Sequence, residues 1–403
     1  MDRRARKTYG GLLGLQGAVT FSDAVMPLAL PWIAYDLSRS LPLMAVLYVV
    51  ESLVPLVLGI GITPWVSRVG PIRALSASQW GRALMLTGVL ALSFSGWRAL
   101  LWVWLFASAG VIGLSSVMGE ASLRAAIPVG GIASTTYVGG LERVGALVRL
   151  TALPIAGVAL VAFGARGILL LLLMLAMASG AYASVLPAAH TEHAMPARAV
   201  RATAGLRRLW QLGPIRSLAL QAMVGNFGNT LVMSTLLFYL RASLHLSAAG
   251  VSLTFAAIAL GSFLGTFTVM PLLRRWRRGT LYPLFLTGGL VGLVLLQIRQ
   301  PWAPAVGEAI VGLCDTAWVV MSTGLRLQLI PEGERTQVLT ASRLLSNAIV
   351  PVAGIVVAVC GPLAGIPVLF LAAAAAKAAE VLVASGTDIR RIDAGYCCAA
   401  GSA

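Results

Sequence analysis

Apolar stretches of about twenty residues, each bounded by charge, Pro or Gly, recur along the whole chain, and that length suits a helix crossing a hydrocarbon core. Composition agrees with the pattern. Hydrophobic residues make up 58% of the 403 positions and charged ones 11%, against about 25% charged in a soluble globular domain. Too little polar surface remains to cover a water-facing globule, so lipid is the solvent for most of the chain. The spacing predicts about twelve transmembrane helices, roughly at 10–33, 43–63, 78–95, 99–119, 137–164, 167–187, 215–239, 249–270, 281–298, 302–323, 338–360 and 365–384. The fifth exceeds what a bilayer needs, which places its first turns in the interface.

The formal net charge is +16, a value that could suggest nucleic acid. Its placement argues otherwise, because the arginines fall between apolar stretches rather than on one domain face. With the N-terminus inside, the outer loops hold only Arg39, Arg98, Arg166, Arg241 and Arg299, while about twenty basic residues fall on the other side. That bias puts both termini in the cytoplasm of a multi-pass protein of the cell (inner) membrane. The basic start Arg3-Arg4-Ala5-Arg6-Lys7 resembles a signal-peptide head, yet the apolar stretch after it is too long and contains Asp23. It is expected to stay as the first helix. Lysine occurs only at Lys7 and Lys377. Of the four cysteines, Cys314 and Cys360 sit in apolar segments and Cys397-Cys398 in the tail, with no metal-ligand spacing and no disulfide framework.

Two halves echo each other. Leu58-Gly59 precedes Pro64 and Arg68 after span two, as Leu264-Gly265 precedes Pro271 and Arg274 after span eight. Ile127-Pro128 follows span four and Ile330-Pro331 follows span ten; spans five and eleven each carry a Pro-x-x-Gly, from Pro154 and from Pro351. Several coincidences in corresponding places suggest a duplicated six-helix unit. The expected organisation is an N-terminal bundle over 1–187, a central loop over 188–214, a C-terminal bundle over 215–384 and a tail over 385–403. Within the loop, Ala199 to Gln211 is a basic amphipathic stretch suited to the inner headgroups.

Four stretches carry a family resemblance: Ser22-Asp23 with Leu28-Ala29-Leu30-Pro31-Trp32; Arg124-Ala125-Ala126-Ile127-Pro128; Gly205-Leu206-Arg207-Arg208-Leu209-Trp210; and Leu327-Gln328-Leu329-Ile330-Pro331-Glu332-Gly333-Glu334-Arg335. In order along nearly the whole chain, they resemble the major facilitator superfamily, in the branch of the enterobactin exporter and macrolide-efflux permeases. The resemblance implies two pseudo-symmetric six-helix bundles around a central cavity, and export rather than uptake. The family's inner-gate loop between spans two and three is matched by Arg68, Gly70 and Arg73, while Ser67 stands where the family has an acid. That change removes the carboxylate of an inner ion pair. Leu153 replaces the usual Gly before Pro154.

Charges inside spans carry the chemistry, because an unpaired one there costs at least about 2.5 kcal/mol on insertion scales. Asp23, near the middle of span one, is the first proton-coupling candidate, since a carboxylate in so dry a setting can exchange a proton near neutral pH. A structural hydrogen bond to a neighbouring helix is the rival reading. Glu51 in span two, and Glu308 and Asp315 on one face of span ten, complete the acidic set. Arg149 and Arg343 lie in pseudo-equivalent spans and are candidates to hold a carboxylate or an anionic substrate. Gln221, Asn226 and Asn229 on span seven, with Trp318 on span ten, are candidates to line a cavity, and Asn229 falls about where Asp23 does in the first half. Arg82 sits near enough to the inner end of span three to reach the headgroups.

No Walker loop and no nucleophile–base pair is present, so neither an ATP-driven pump nor an enzyme is expected. His190-x-x-His193 with Glu192 lacks a fourth ligand, and neither a metal nor any other cofactor is expected. The reading is a secondary transporter exporting small amphiphilic molecules by proton antiport. Its partners are a small-molecule substrate, protons and membrane lipid, with no nucleic acid and with a monomer as the working state. An uncoupled facilitator, or a non-transporting scaffold or sensor of the same fold, is the alternative.

Overall fold

The computed structural model describes residues 3–126, 131–186, 202–330 and 334–386. Among them the regular structure is helical throughout. The chain separates into two compact units, residues 1–199 and 200–403.

The first unit contains α1 (Arg3–Ser38), α2 (Leu41–Val69), α3 (Pro71–Ser95), α4 (Arg98–Ala125) and α5 (Gly131–Val185). Two of its turns are made by glycines, Gly70 and Gly164. Gly70, at φ 95°, ends α2, and Pro71 opens α3 in the first turn, where its missing N–H costs nothing. Within α5 the backbone leaves helical geometry at Gly164, with φ 68° and ψ −176°, a combination open essentially to glycine alone. The chain doubles back there. Val144 and Val148, before the break, border Gly17 of α1, while Tyr182, beyond it, packs on Gly11. Helix α5 is therefore two membrane passes, divided between the predicted spans five and six.

The second unit contains α6 (Ala202–Gln211), α7 (Gly213–Phe238), α8 (Ala248–Leu273), α9 (Arg278–Leu295), α10 (Ala303–Leu329), α11 (Arg335–Asn347), α12 (Val350–Ala364) and α13 (Ile366–Gly386). A π-helical turn, Tyr239–Ser243, extends α7. Helix α6 falls inside the amphipathic stretch: Leu209 is buried, while Leu206, Arg207 and Trp210 stay exposed. It packs on α7 and α11, and Arg208 Nε donates to Glu334 Oε2 at 2.6 Å to hold it to the start of α11.

Among the described residues, nine helical stretches are long and apolar enough to cross a membrane. Three more passes come from the second arm of α5, from α3 and from α9. Helix α3 is less apolar than the nine because it carries Arg73, Gln79 and Arg82. The apolar stretch Gly279–Leu295 of α9 is merely short. The result is an all-α polytopic membrane fold with about twelve passes. Its outer faces stay apolar, with Val158, Phe163, Phe267, Leu363 and Leu382 all exposed, as lipid contact requires.

The predicted span 338–360 falls within one membrane-crossing stretch, Val338–Ala364, built from two helices. Helix α11 stops at Asn347 and α12 starts at Val350, with Pro351 in its first turn. A proline ring clashes with the carbonyl four residues earlier, which is why the helix breaks just before Pro351. The side chain of Pro154, the matching proline of α5, lies outside the described set.

The packing repeats between units. Helix α4 lies against α2 and α3, as α10 lies against α8 and α9; α5 lies against α1 and α3, as α13 lies against α7 and α9. Close approach is made by small residues. Gly113 of α4 abuts the backbone carbonyl of Glu51, and Gly312 of α10 abuts that of Ile258. In lipid no hydrophobic force drives helices together, so such dispersion contacts must hold them.

Candidate functional site

In the N-terminal unit, Arg82 of α3 donates from Nη2 to Asp23 Oδ1 of α1 at 2.6 Å and to Ser116 Oγ of α4 at 2.9 Å. Ser116 donates in turn to the same Oδ1 at 2.7 Å. Three helices are thus joined at one carboxylate oxygen. The Arg82 side chain is 0% exposed and that of Asp23 is 32% exposed. This corrects the expectation that Arg82 reaches the headgroups. Leu75, Ser78, Gln79, Arg82, Leu86 and Val89 recur at three- and four-residue steps and are all buried. Arg82 is in phase with that inward stripe, so its guanidinium has no route outward. Glu51 of α2 is half-buried and within electrostatic reach of both Asp23 and Arg82.

The C-terminal unit holds a second charged cluster on different helices. Lys377 of α13 donates from Nζ to Asp315 Oδ1 of α10 at 2.7 Å and lies 2.9 Å from Glu380 Oε2, one turn along its own helix. Lys377 is 9% exposed, Glu380 2% and Asp315 33%. Two glycines make room for it. A Cβ at Gly289 of α9 would meet Lys377 Cε, and one at Gly225 of α7 would meet the Glu380 carboxyl. Glu308, two turns before Asp315, is fully buried, and neither of its carboxyl oxygens has a hydrogen-bond partner among the described residues. Of the two acids expected on one face of α10, only Asp315 reaches the cluster.

Lys377 and Glu380 were not among the candidates. Both sit inside the predicted span 365–384, three residues apart, and Lys377 is one of two lysines in the chain. A lysine and a glutamate in one otherwise apolar span are the signal that would have found them.

The remaining candidates scatter. Gln221 is buried and accepts from the Tyr282 hydroxyl at 3.1 Å, and Trp318 tilts over the Tyr282 ring at 6.3 Å. Asn226 donates to the Ser346 carbonyl at 2.9 Å and to Asn347 Oδ1 at 3.1 Å, joining α7 to α11. Asn229 is exposed and no counterpart of Asp23: the fold repeats, while the charged site sits on α1, α3 and α4 in one unit and on α10 and α13 in the other. Arg149 and Arg343 are exposed, and the bases that hold Asp23 and Asp315 are Arg82 and Lys377 instead. Arg68 and Arg73 flank the Gly70 turn and are exposed. The Ser67 side chain, His190, Glu192 and His193 lie outside the described residues.

No family model matches the sequence, and no curated protein sequence does. Solved structures do match. A bacterial homologue of the iron transporter ferroportin, in an inward-facing state, is 17% identical with a TM-score of 0.71, over 96% of this chain and 99% of that one. A point mutant of the nucleoside transporter NupG is 12% identical with a TM-score of 0.73, over 94% and 98%. The fold is the major facilitator fold. A bacterial homologue of the human lysosomal transporter Spinster extends the likeness, at 14% identity and a TM-score of 0.66 over 98% and 96%. At such identities the likeness concerns architecture.

Proposed function

We propose that this major facilitator chain is a secondary transporter that exports small amphiphilic molecules, drug- or siderophore-like, in exchange for protons by alternating access. One observation carries the reading. Each unit buries a base inside its helices and presents the partner carboxylate about one-third exposed, Asp23 before Arg82 and Asp315 before Lys377. A carboxylate so placed within a membrane pass faces a wet cavity or other protein, because hydrocarbon offers it no partner. Proton uptake at Asp23 would weaken the bond to Arg82 and so favour one facing state over the other. A substrate moves that balance only through unequal affinity for the two states. The direction, outward across the inner membrane with both termini inside, rests on the arginine bias and on the resemblance to enterobactin and macrolide exporters. The cargo stays general, since the structural neighbours are named for an iron transporter, a nucleoside transporter and a lysosomal transporter, and a fold does not fix its ligand.

The experiment is proton flux in proteoliposomes with an imposed pH gradient, driven by members of an amphiphilic drug and siderophore panel. The wild type should exchange substrate for protons, and Asp23→Asn should lose the coupling. Unchanged substrate-driven proton flux in that variant would remove Asp23 from the mechanism. A second reading, an uncoupled facilitator, draws on the direct ion pairs, which neutralise Asp23 and Asp315 without any proton. Downhill flux independent of pH would establish it.

A further inference from the structure

The cluster in the C-terminal unit has the chemistry of an ammonium site occupied by the chain's own amine. Asp315 and Glu380 flank Lys377 Nζ from two helices at 2.7 and 2.9 Å. Gly289 and Gly225 bring α9 and α7 close enough that a Cβ at either would strike the Lys377 stem or the Glu380 carboxyl. Two carboxylates around one ammonium leave an uncompensated negative charge when all are ionised. The surroundings hold further unmet polar capacity. Among the described residues, Gln221, 1% exposed and one turn before Gly225 on α7, has an amide Nε2 without a hydrogen-bond partner, and the oxygens of Glu308 are likewise unpartnered. The outward side of the cluster is Asp315: Oδ1 is taken by Lys377, and no hydrogen bond among the described residues reaches Oδ2.

The two units differ in a way that matters here. Arg82 is locked by a planar guanidinium that bonds Asp23 and Ser116 together. Lys377 is a compact ammonium on a flexible four-carbon stem with a second carboxylate, Glu380, within reach. Were Lys377 to lean fully onto Glu380, Asp315 would become an unpaired carboxylate open to a ligand. A cation suits that carboxylate.

We propose that Lys377 is a tethered stand-in for the cargo, and that Asp315 binds an amphiphilic organic cation which displaces the lysine onto Glu380. The inference rests on the transport reading and narrows its substrate class to cations. Binding and lysine displacement are then two faces of one coupling, reciprocal by thermodynamic necessity.

The sequence offers a clean test. Lysine occurs only at positions 7 and 377, so in a Lys7→Arg background Lys377 is the sole lysine side chain. Reductive methylation of the purified full-length protein, read by peptide mass spectrometry, reports its reactivity. Lys377 should react slowly alone and about tenfold more slowly with saturating tetraphenylphosphonium, because Glu380, which receives it, is 2% exposed and the cation covers Asp315. Lys377→Met should bind tetraphenylphosphonium about tenfold more tightly by the same coupling, and Asp315→Asn should not bind it. If Lys377→Met does not fold, the labelling of the Lys7→Arg protein decides alone. Binding that leaves Lys377 reactivity unchanged or quickened would overturn the proposal, as would failure to bind the cation at all. Proton-coupled export of a neutral compound would survive either result, whereas a responsive Lys377 in a protein that moves nothing would sink the transport reading and leave the cation site.

Discussion

Arg82 shows what one residue can do when a helix faces it inward. Its guanidinium is buried, and among the described residues Nε and Nη1 have no hydrogen-bond partner, so the bonds to Asp23 and Ser116 are what offset its desolvation. Removing the acid or the base alone strands the other. Asp23→Ala is therefore expected to destabilise by about 3–5 kcal/mol, with Asp23→Ala combined with Arg82→Met recovering most of the loss. Thermal unfolding in detergent micelles measures both, and an Asp23→Ala melting curve that matches the wild type would show the pair to be ornamental. Ser116→Ala, which deletes a hydrogen bond to a charged group, should cost about 1.5–3 kcal/mol in the same assay.

At the scale of elements, the glycine break in α5 carries more consequence than the prolines do. Gly164 takes a backbone conformation that no L side chain tolerates well, and the second arm of α5 returns to α1 only because of it. Gly164→Ala should destabilise by about 1–3 kcal/mol, whereas Gly10→Ala, on an exposed face with open space around its Cβ, should not. Comparison of the two melting temperatures checks the point, and equal shifts would mean the break can be made by other residues. The α2–α4 contact is a second sensitive element. Gly113 meets the Glu51 carbonyl, so Gly113→Leu should cost roughly 1–3 kcal/mol by overpacking. Since Glu51 is in reach of Asp23 and Arg82, the same substitution should also disturb proton coupling, read as substrate-driven flux.

For the whole molecule, each unit carries its own helix pairings and its own charged cluster. The halves 1–199 and 200–403, expressed as separate chains, should each insert and keep their internal packing. Cysteine pairs placed across α2 and α4, or across α8 and α10, should cross-link in the isolated half as they do in the full chain. Loss of both cross-links on separation would show that a half cannot hold its structure alone. The repeat of packing without a repeat of charge also matters at this scale. One unit fixes its acid with arginine and the other with lysine, so substitutions at Asp23 and Asp315 should differ, the second altering substrate choice more than fold.

The membrane class, the helix count and the paired halves were legible because hydrocarbon is so poor a solvent for polar groups that its thickness is written into the lengths of apolar runs. Asp23, Asp315 and Glu308 stood out for the same reason. What those runs do not carry is direction. A period of 3.6 residues ties Arg82 to Leu75 and Leu86 on one face, and only the packing of α4 and α5 against α3, with the ion pair to Asp23 of α1, shows that this face points inward. Lys377 and Glu380 were visible as charges in an apolar span, yet their meeting with Asp315 depends on α13 and α10 lying within reach of each other, with glycines in α7 and α9 to admit them. Sequence sets the cost of burying a charge; tertiary structure alone decides which opposite charge arrives to meet it.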